Sequence, residues 1–156
     1  MVIPSGKPWL REIPPVATAE QRFQMVDLAI TSMGLSENVE VLPLEVRREG
    51  NSYALDTVEE LNRIYPNTNF TLVLGSDAAK HLDKWHRAKE LQEAVKVLVI
   101  KRPGSAASDF DEISIKALDI SSTKVRQSIA KRENVSELLP AKVVTFIREL
   151  GLYGSR

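Results

Sequence analysis

Between a strand-like run and a helical one, the segment Asp119-Ile-Ser121-Ser122-Thr123-Lys-Val-Arg126 places three hydroxyls at the junction and an arginine one turn in. A helix start leaves backbone N–H groups free and carries the positive end of the dipole. The hydroxyls add donors, and Arg126 can fork onto phosphate oxygens, so the segment could cradle an anion. The same residues would equally make an ordinary N-cap with a solvated arginine.

Gly75-Ser76-Asp77 directly follows the apolar, β-branched run Phe70 to Leu74. A glycine there could form a tight turn that admits a ligand to the backbone, with Asp77 binding a hydroxyl or a cation; an N-cap aspartate is the alternative. Trp85 follows a short polar helix and could stack on an aromatic ligand or simply pack. Lys7, Arg11, Arg47, Arg48, Lys101 and Arg102 lie in loops near strand ends, where several could converge on a phosphate or each could be surface charge. His81 and His86 flank Trp85 at a spacing that matches no metal motif, and no G-x-S-x-G nucleophile turn occurs.

These residues must be held by regular elements, and the chain supplies them. Met1 to Ile3 reads as the end of a strand, stopped by Pro4-Ser5-Gly6. Thr18-Ala-Glu-Gln21 fits a capping box and predicts a helix to about Met33, with Phe23, Val26, Ile30 and Met33 as its core stripe and Gly34 as its stop. Val39 to Leu44 reads as a strand, Arg47 to Asn51 as a loop, and Asp56 to Tyr65 as a helix.

Phe70 to Leu74 and Val95 to Ile100 read as strands buried on both faces of a parallel sheet, the second closed by Lys101-Arg102-Pro103-Gly104. Residues 105 to 112 are polar and read as a mobile loop, and Ile113 to Ile120 contains the next strand. Helices over Lys124 to Lys131 and Ala141 to Leu150 close the chain, the latter between Pro140 and Gly151. Strands alternating with helices predict one α/β domain over residues 1–156, with a mainly parallel sheet covered by helices on both faces. In such sheets ligands lie beyond the carboxyl ends of strands, where the motifs above fall.

Composition narrows the partners. With 156 residues and 43% hydrophobic content, the chain can bury one core. Lysine plus arginine and aspartate plus glutamate number 21 each, so no global field favours nucleic acid or an anionic membrane. The absence of cysteine excludes disulfides and thiolate chemistry and suits a reducing compartment. Apolar runs are strand-sized and the N-terminus lacks a signal-peptide core, so the expectation is a soluble, cytoplasmic protein.

In order and spacing, the segments IPSGKPW, TAEQRFQMVDLAI, RREGNSYALDTVEEL, FTLVLGSDA, LDKW, KRPG, DISSTKVRQSI and LLPAKVVTFIRELGLY resemble the bacterial nicotinate-nucleotide adenylyltransferases. Those are nucleotidyltransferases with a Rossmann-like fold, and the resemblance covers nearly the whole chain. It implies that Ser122, Thr123 and Arg126 bind ATP phosphates, that Lys101, Arg102 and Pro103 lie near the adenosine, and that Gly75, Ser76 and Asp77 line the nucleotide cleft. It further implies that Trp85 stacks on the pyridine ring and that backbone groups near Tyr53 and Ala54 meet its carboxylate. Arg11 stands where relatives with a PW-type loop carry a lysine.

Two departures from the family pattern accompany the match. Where the family reads Y-T-x-D-T, this chain has Tyr53-Ala54-Leu55-Asp56-Thr57, one hydroxyl fewer. The family's opening strand and H-x-G-H loop are also absent, so that the resemblance implies a first strand and helix preceding Met1, with binding surviving and turnover collapsing without them. The implied substrates are ATP with Mg²⁺ and nicotinate mononucleotide, with the oligomeric state open and a homo-oligomer allowed. A non-catalytic nucleotide-binding relative, or an adenylyltransferase for another acceptor such as nicotinamide mononucleotide, are the alternatives.

Overall fold

Thr18 starts the first helix by the reciprocal bonds its sequence predicts. Its Oγ1 accepts from the Gln21 N–H at 3.1 Å, and the Gln21 side chain accepts from the Thr18 N–H at 2.9 Å. The helix, α1, runs Ala19–Ser32. Gly34 ends it at φ +67°, a left-handed conformation that costs glycine little.

The computed structural model describes residues 1–10, 13–101, 109–115 and 120–155. The chain divides into two units, Met1–Ser52 with Asp119–Arg156, and Tyr53–Leu118. Among the described residues no helix is long and apolar enough to cross a membrane.

The first unit is mainly helical. Besides α1 it contains α2 (Leu44–Arg47), α6 (Ser122–Ala130) and α7 (Ala141–Glu149). Ala17, Val125, Ile129, Val135, Val143, Ile147 and Leu152 form its core. Here the predicted stripe of α1 is corrected. Met25, Leu28 and Ala29 pack against that core, whereas Phe23, Val26 and Ile30 are half-buried and Met33 is 62% exposed. Both apolar sides of α1 have helical spacing, and contact with α7 is what distinguishes them.

The predicted strand at Val39 to Leu44 is corrected as well. Only Val41 pairs, in a single parallel bridge with Val2. The Val2 N–H donates to Glu40 O at 2.7 Å and the Leu42 N–H to Val2 O at 2.9 Å, while Leu44 to Arg47, partly expected as loop, are helical.

The second unit carries the sheet. α3 (Ala54–Ile64) begins two residues earlier than predicted and is followed by β1 (Thr71–Gly75) and α4 (Ser76–Ala79); α5 (Ala88–Ala94), β2 (Lys96–Lys101) and β3 (Asp111–Ser114) come next. The strands are parallel in the order β1-β2-β3, with Gly75 opposite Ile100 and Lys101 opposite Ser114. Their carboxyl ends therefore lie along one edge.

Leu55, Val58, Leu74, Ala79, Leu82, Leu91, Val95, Val97 and Val99 form this unit's core. Full burial of Leu91 and Val99 contributes about 1.5 to 3 kcal/mol for each. β1 is not buried on both faces as expected, because Val73 is 55% exposed where β1 forms an edge of the three-stranded sheet. β3 begins at Asp111, so Asp111 and Glu112 belong to a strand rather than to the predicted mobile loop. Lys96 recruits Asp111 across the sheet at 2.8 Å.

Candidate nucleotide-binding site

The α6 start is an N-capped helix terminus. Ser121 is the N-cap, and its Oγ accepts from the Lys124 N–H at 3.2 Å. That hydroxyl's oxygen serves the helix while its O–H can still donate, and Ser122 and Thr123 beside it are exposed. Val125 and Ile129, one turn apart, are buried in this unit's core and fix the helix. Arg126 is half-buried, with Nη2 3.5 Å from Thr123 Oγ1, so guanidinium and hydroxyl stand on the same side of the first turns.

At the carboxyl end of β1 the chain does not make the separate tight turn expected of Gly75-Ser76-Asp77. Gly75 is the last strand residue and the N-cap of α4, at φ −71° and ψ 151°, and Ser76 and Asp77 are the first helical residues. Neither its φ nor its surroundings require glycine, for among the described residues a Cβ there would meet no atom within 4 Å. Ser76 is buried and Asp77 exposed.

The N-terminus of α3 and the Trp85 segment are brought together in the second unit. Tyr53 is the N-cap of α3 and makes no side-chain cap, so Ala54, Leu55 and Asp56 begin an eleven-residue helix with N–H groups that have no intrahelical acceptor. Thr57, buried, ties back to Tyr53 O through both its N–H and its Oγ1, each at 3.3 Å.

Trp85 ends a short 3-10 turn, Leu82–Lys84, and rests half-buried against the sheet core. Its neighbour His86 stacks on Tyr53 with ring centroids 4.0 Å apart. Arg87 holds the next position, at φ +52°, through ion pairs to Glu59 of α3 and Glu90 of α5. Those carboxylates push the Arg87 guanidinium further above its usual range, with Glu90 contributing most, and Glu90 is lowered in return.

Sequence reasoning gave Arg87 no role, and it read His86 as a surface or structural histidine without foreseeing Tyr53 as its partner. Lys101, expected near a nucleotide, is paired with Glu112 of the adjacent strand at 3.2 Å. His81 is the N-cap of the 3-10 turn. Arg11, Arg102 and Pro103 lie outside the described residues. Among the described residues no group of three or more histidine, aspartate or glutamate side chains is gathered to hold a metal.

Residues 1–128 match the model of the cytidylyltransferase-like family. A probable nicotinate-nucleotide adenylyltransferase of Oceanobacillus iheyensis is 35% identical over 97% of this chain and 79% of its own length. One of Bacillus pumilus is 35% identical over 98% and 81%. In fold, the chain is similar to the Plasmodium falciparum nicotinic acid mononucleotide adenylyltransferase solved with NaAD, at TM-score 0.75 and 16% identity, covering 99% of this chain and 82% of that one.

Proposed function

Because the chain belongs to the nicotinate-nucleotide adenylyltransferases of the cytidylyltransferase-like family, we propose that it transfers the adenylyl group of ATP to nicotinate mononucleotide in the cytoplasm. A phosphate oxygen of the mononucleotide attacks the α-phosphorus of ATP. The bond from that phosphorus to the bridging oxygen of the β-phosphate breaks in line, pyrophosphate leaves, and nicotinate adenine dinucleotide remains. No covalent enzyme intermediate is needed, so the protein's task is to position two anions and neutralise their charge.

The α6 N-terminus takes the triphosphate: the free N–H groups and hydroxyls of Ser122 and Thr123 donate to phosphate oxygens, and Arg126 adds a charged fork. ATP enters as its Mg²⁺ complex, the ion carried as part of the substrate. Gly75, Ser76 and Asp77 line the nucleotide cleft at the carboxyl end of β1, and Lys101, Arg102 and Pro103 serve the adenosine.

The observation that carries the acceptor's identity is the uncapped start of α3 beside Trp85. A helix N-terminus without a side-chain cap suits a carboxylate, and a neighbouring indole suits a flat ring; nicotinate has both. Backbone donors from Ala54 onward offset the threonine hydroxyl that the family pattern has at this position. Arg11 supplies a further cation to the mononucleotide. Calorimetry tests this reading: nicotinate mononucleotide binds more tightly than nicotinamide mononucleotide, whose amide puts an N–H₂ among the donors. Equal affinities overturn the assignment of the α3 start to the carboxylate.

A further inference from the structure

Within the second unit, three consecutive residues after the 3-10 turn are each held by a different partner. Trp85 rests on the sheet core, and its N–H donates to Leu82 O at 3.0 Å. The His86 imidazole lies on the Tyr53 ring. Arg87 donates from Nη1 to Glu59 Oε1 at 3.2 Å, from Nε to Glu90 Oε1 at 2.9 Å, and from Nη2 to the other Glu90 oxygen. Two of these partners, Tyr53 and Glu59, belong to α3 and its cap, six residues apart, which is roughly 9 Å along a helix axis. The segment 85–87 is therefore pinned to α3 at two points, and Trp85 is the residue next to both pins.

The backbone of Arg87 does not call for arginine. At φ +52° and ψ 44° it is left-handed, a conformation that glycine adopts far more easily than a long side chain does. As the N-cap of α5 it makes no side-chain cap, and arginine is not among the residues that favour that position. The contacts of its guanidinium account for its presence. The planar fork takes both oxygens of Glu90 and still has an N–H for Glu59, 28 residues away in the chain. Glu90 is a local partner; Glu59 belongs to another helix. The three side chains are 40–54% exposed, so the network adds little to global stability. What it fixes is the path of the chain beside Trp85.

We propose that Arg87 is a positioning residue for the pyridine nucleotide: by linking Glu59 to Glu90 it holds the 85–87 segment on α3 and so sets the Trp85 indole relative to the α3 start. The inference rests on the reading above in which Trp85 takes the ring and the α3 start its carboxylate. A side chain ordered before the ligand arrives removes part of the ordering cost of binding. Lysine would keep the charge at this position but not the planar fork that spans two carboxylates.

The test is calorimetry with nicotinate mononucleotide and with ATP, run beside thermal melting. Arg87→Gly deletes the side chain while suiting the left-handed backbone, so it isolates the guanidinium. It is expected to weaken the mononucleotide roughly threefold to tenfold, with ATP within about twofold and the melting temperature little changed. Glu59→Gln, which leaves the Arg87 backbone alone, follows the same pattern. Combined with Trp85→Ala, Arg87→Gly adds almost nothing to the loss from Trp85→Ala alone, because it acts through the indole. Unchanged mononucleotide affinity in Arg87→Gly overturns the inference, as does equal weakening of ATP, which marks a purely structural role, or full additivity with Trp85→Ala. If Trp85→Ala itself leaves the mononucleotide unaffected, the assignment of the ring to Trp85 fails, and the inference falls with it.

Discussion

The imidazole of His86 lies on the phenol ring of Tyr53, with centroids 4.0 Å apart and ring planes 26° from parallel. The stack joins the residue that begins α3 to the residue after Trp85, and so ties the proposed carboxylate site to the proposed ring site. A stacked aromatic pair contributes about 0.5 to 1.5 kcal/mol beyond its buried area. His86→Ala is expected to weaken nicotinate mononucleotide by a corresponding factor, roughly twofold to tenfold, and to leave ATP unchanged. Competition binding with both nucleotides checks it.

Trp85→Ala is expected to cost more. Stacking of a base on an aromatic side chain is worth on the order of 1 to 3 kcal/mol, and here it is lost for the pyridine ring alone. Calorimetry should show a large loss for the mononucleotide and little for ATP. Equal losses for both ligands would instead reflect the packing of Trp85 on the sheet core.

Arg126→Ala separates the triphosphate from the rest of ATP. The guanidinium is assigned to the outer phosphates, and a charge-assisted hydrogen bond contributes roughly 1.5 to 3 kcal/mol. ATP should weaken and AMP should not. Identical losses for ATP and AMP would remove Arg126 from the phosphate site.

The Lys96–Asp111 pair gives a pH signature. The Lys96 ammonium, through its hydrogen bond and then its charge, holds the Asp111 carboxyl below the usual aspartate range, and Lys96 is raised in return. A depressed carboxylate contributes stability that is present above its unfolded pKa and is lost as pH falls through the folded value. The raised lysine contributes stability below its unfolded pKa, lost as pH rises through its folded value. Both groups are exposed, so the effect is small. The melting temperatures of the native protein and of Asp111→Asn should therefore differ by a constant amount through the neutral range and converge in acid, below about pH 4.

Local signals were legible in the sequence wherever the deciding partner was local. Thr18 and Gln21 are three residues apart and cap α1 as read; Gly34 and Gly151 end helices at positive φ; the parallel strands at 71–75 and 96–101 follow from β-branched runs. Distant partners decided the rest. α1 has two sides of apolar spacing, and only contact with α7 selects Met25, Leu28 and Ala29. Val39 to Leu44 has strand composition, but just one residue of it meets Val2.

The site divides in the same way. Ser122, Thr123 and Arg126 were legible as the start of a helix, and the use of Ser121 as its cap was one of two open readings. The Tyr53–His86 stack and the Arg87–Glu59 pair join segments far apart in the chain, and no local pattern announces them.

Adenylyl transfer itself is measured most directly by the product. The protein, expressed from its full reading frame, is incubated with ATP, Mg²⁺ and nicotinate mononucleotide, and dinucleotide and pyrophosphate are quantified together. Nicotinate adenine dinucleotide and pyrophosphate are expected in equal amounts, with far less product when nicotinamide mononucleotide replaces the acid. Binding of both substrates without formation of the dinucleotide would contradict this expectation.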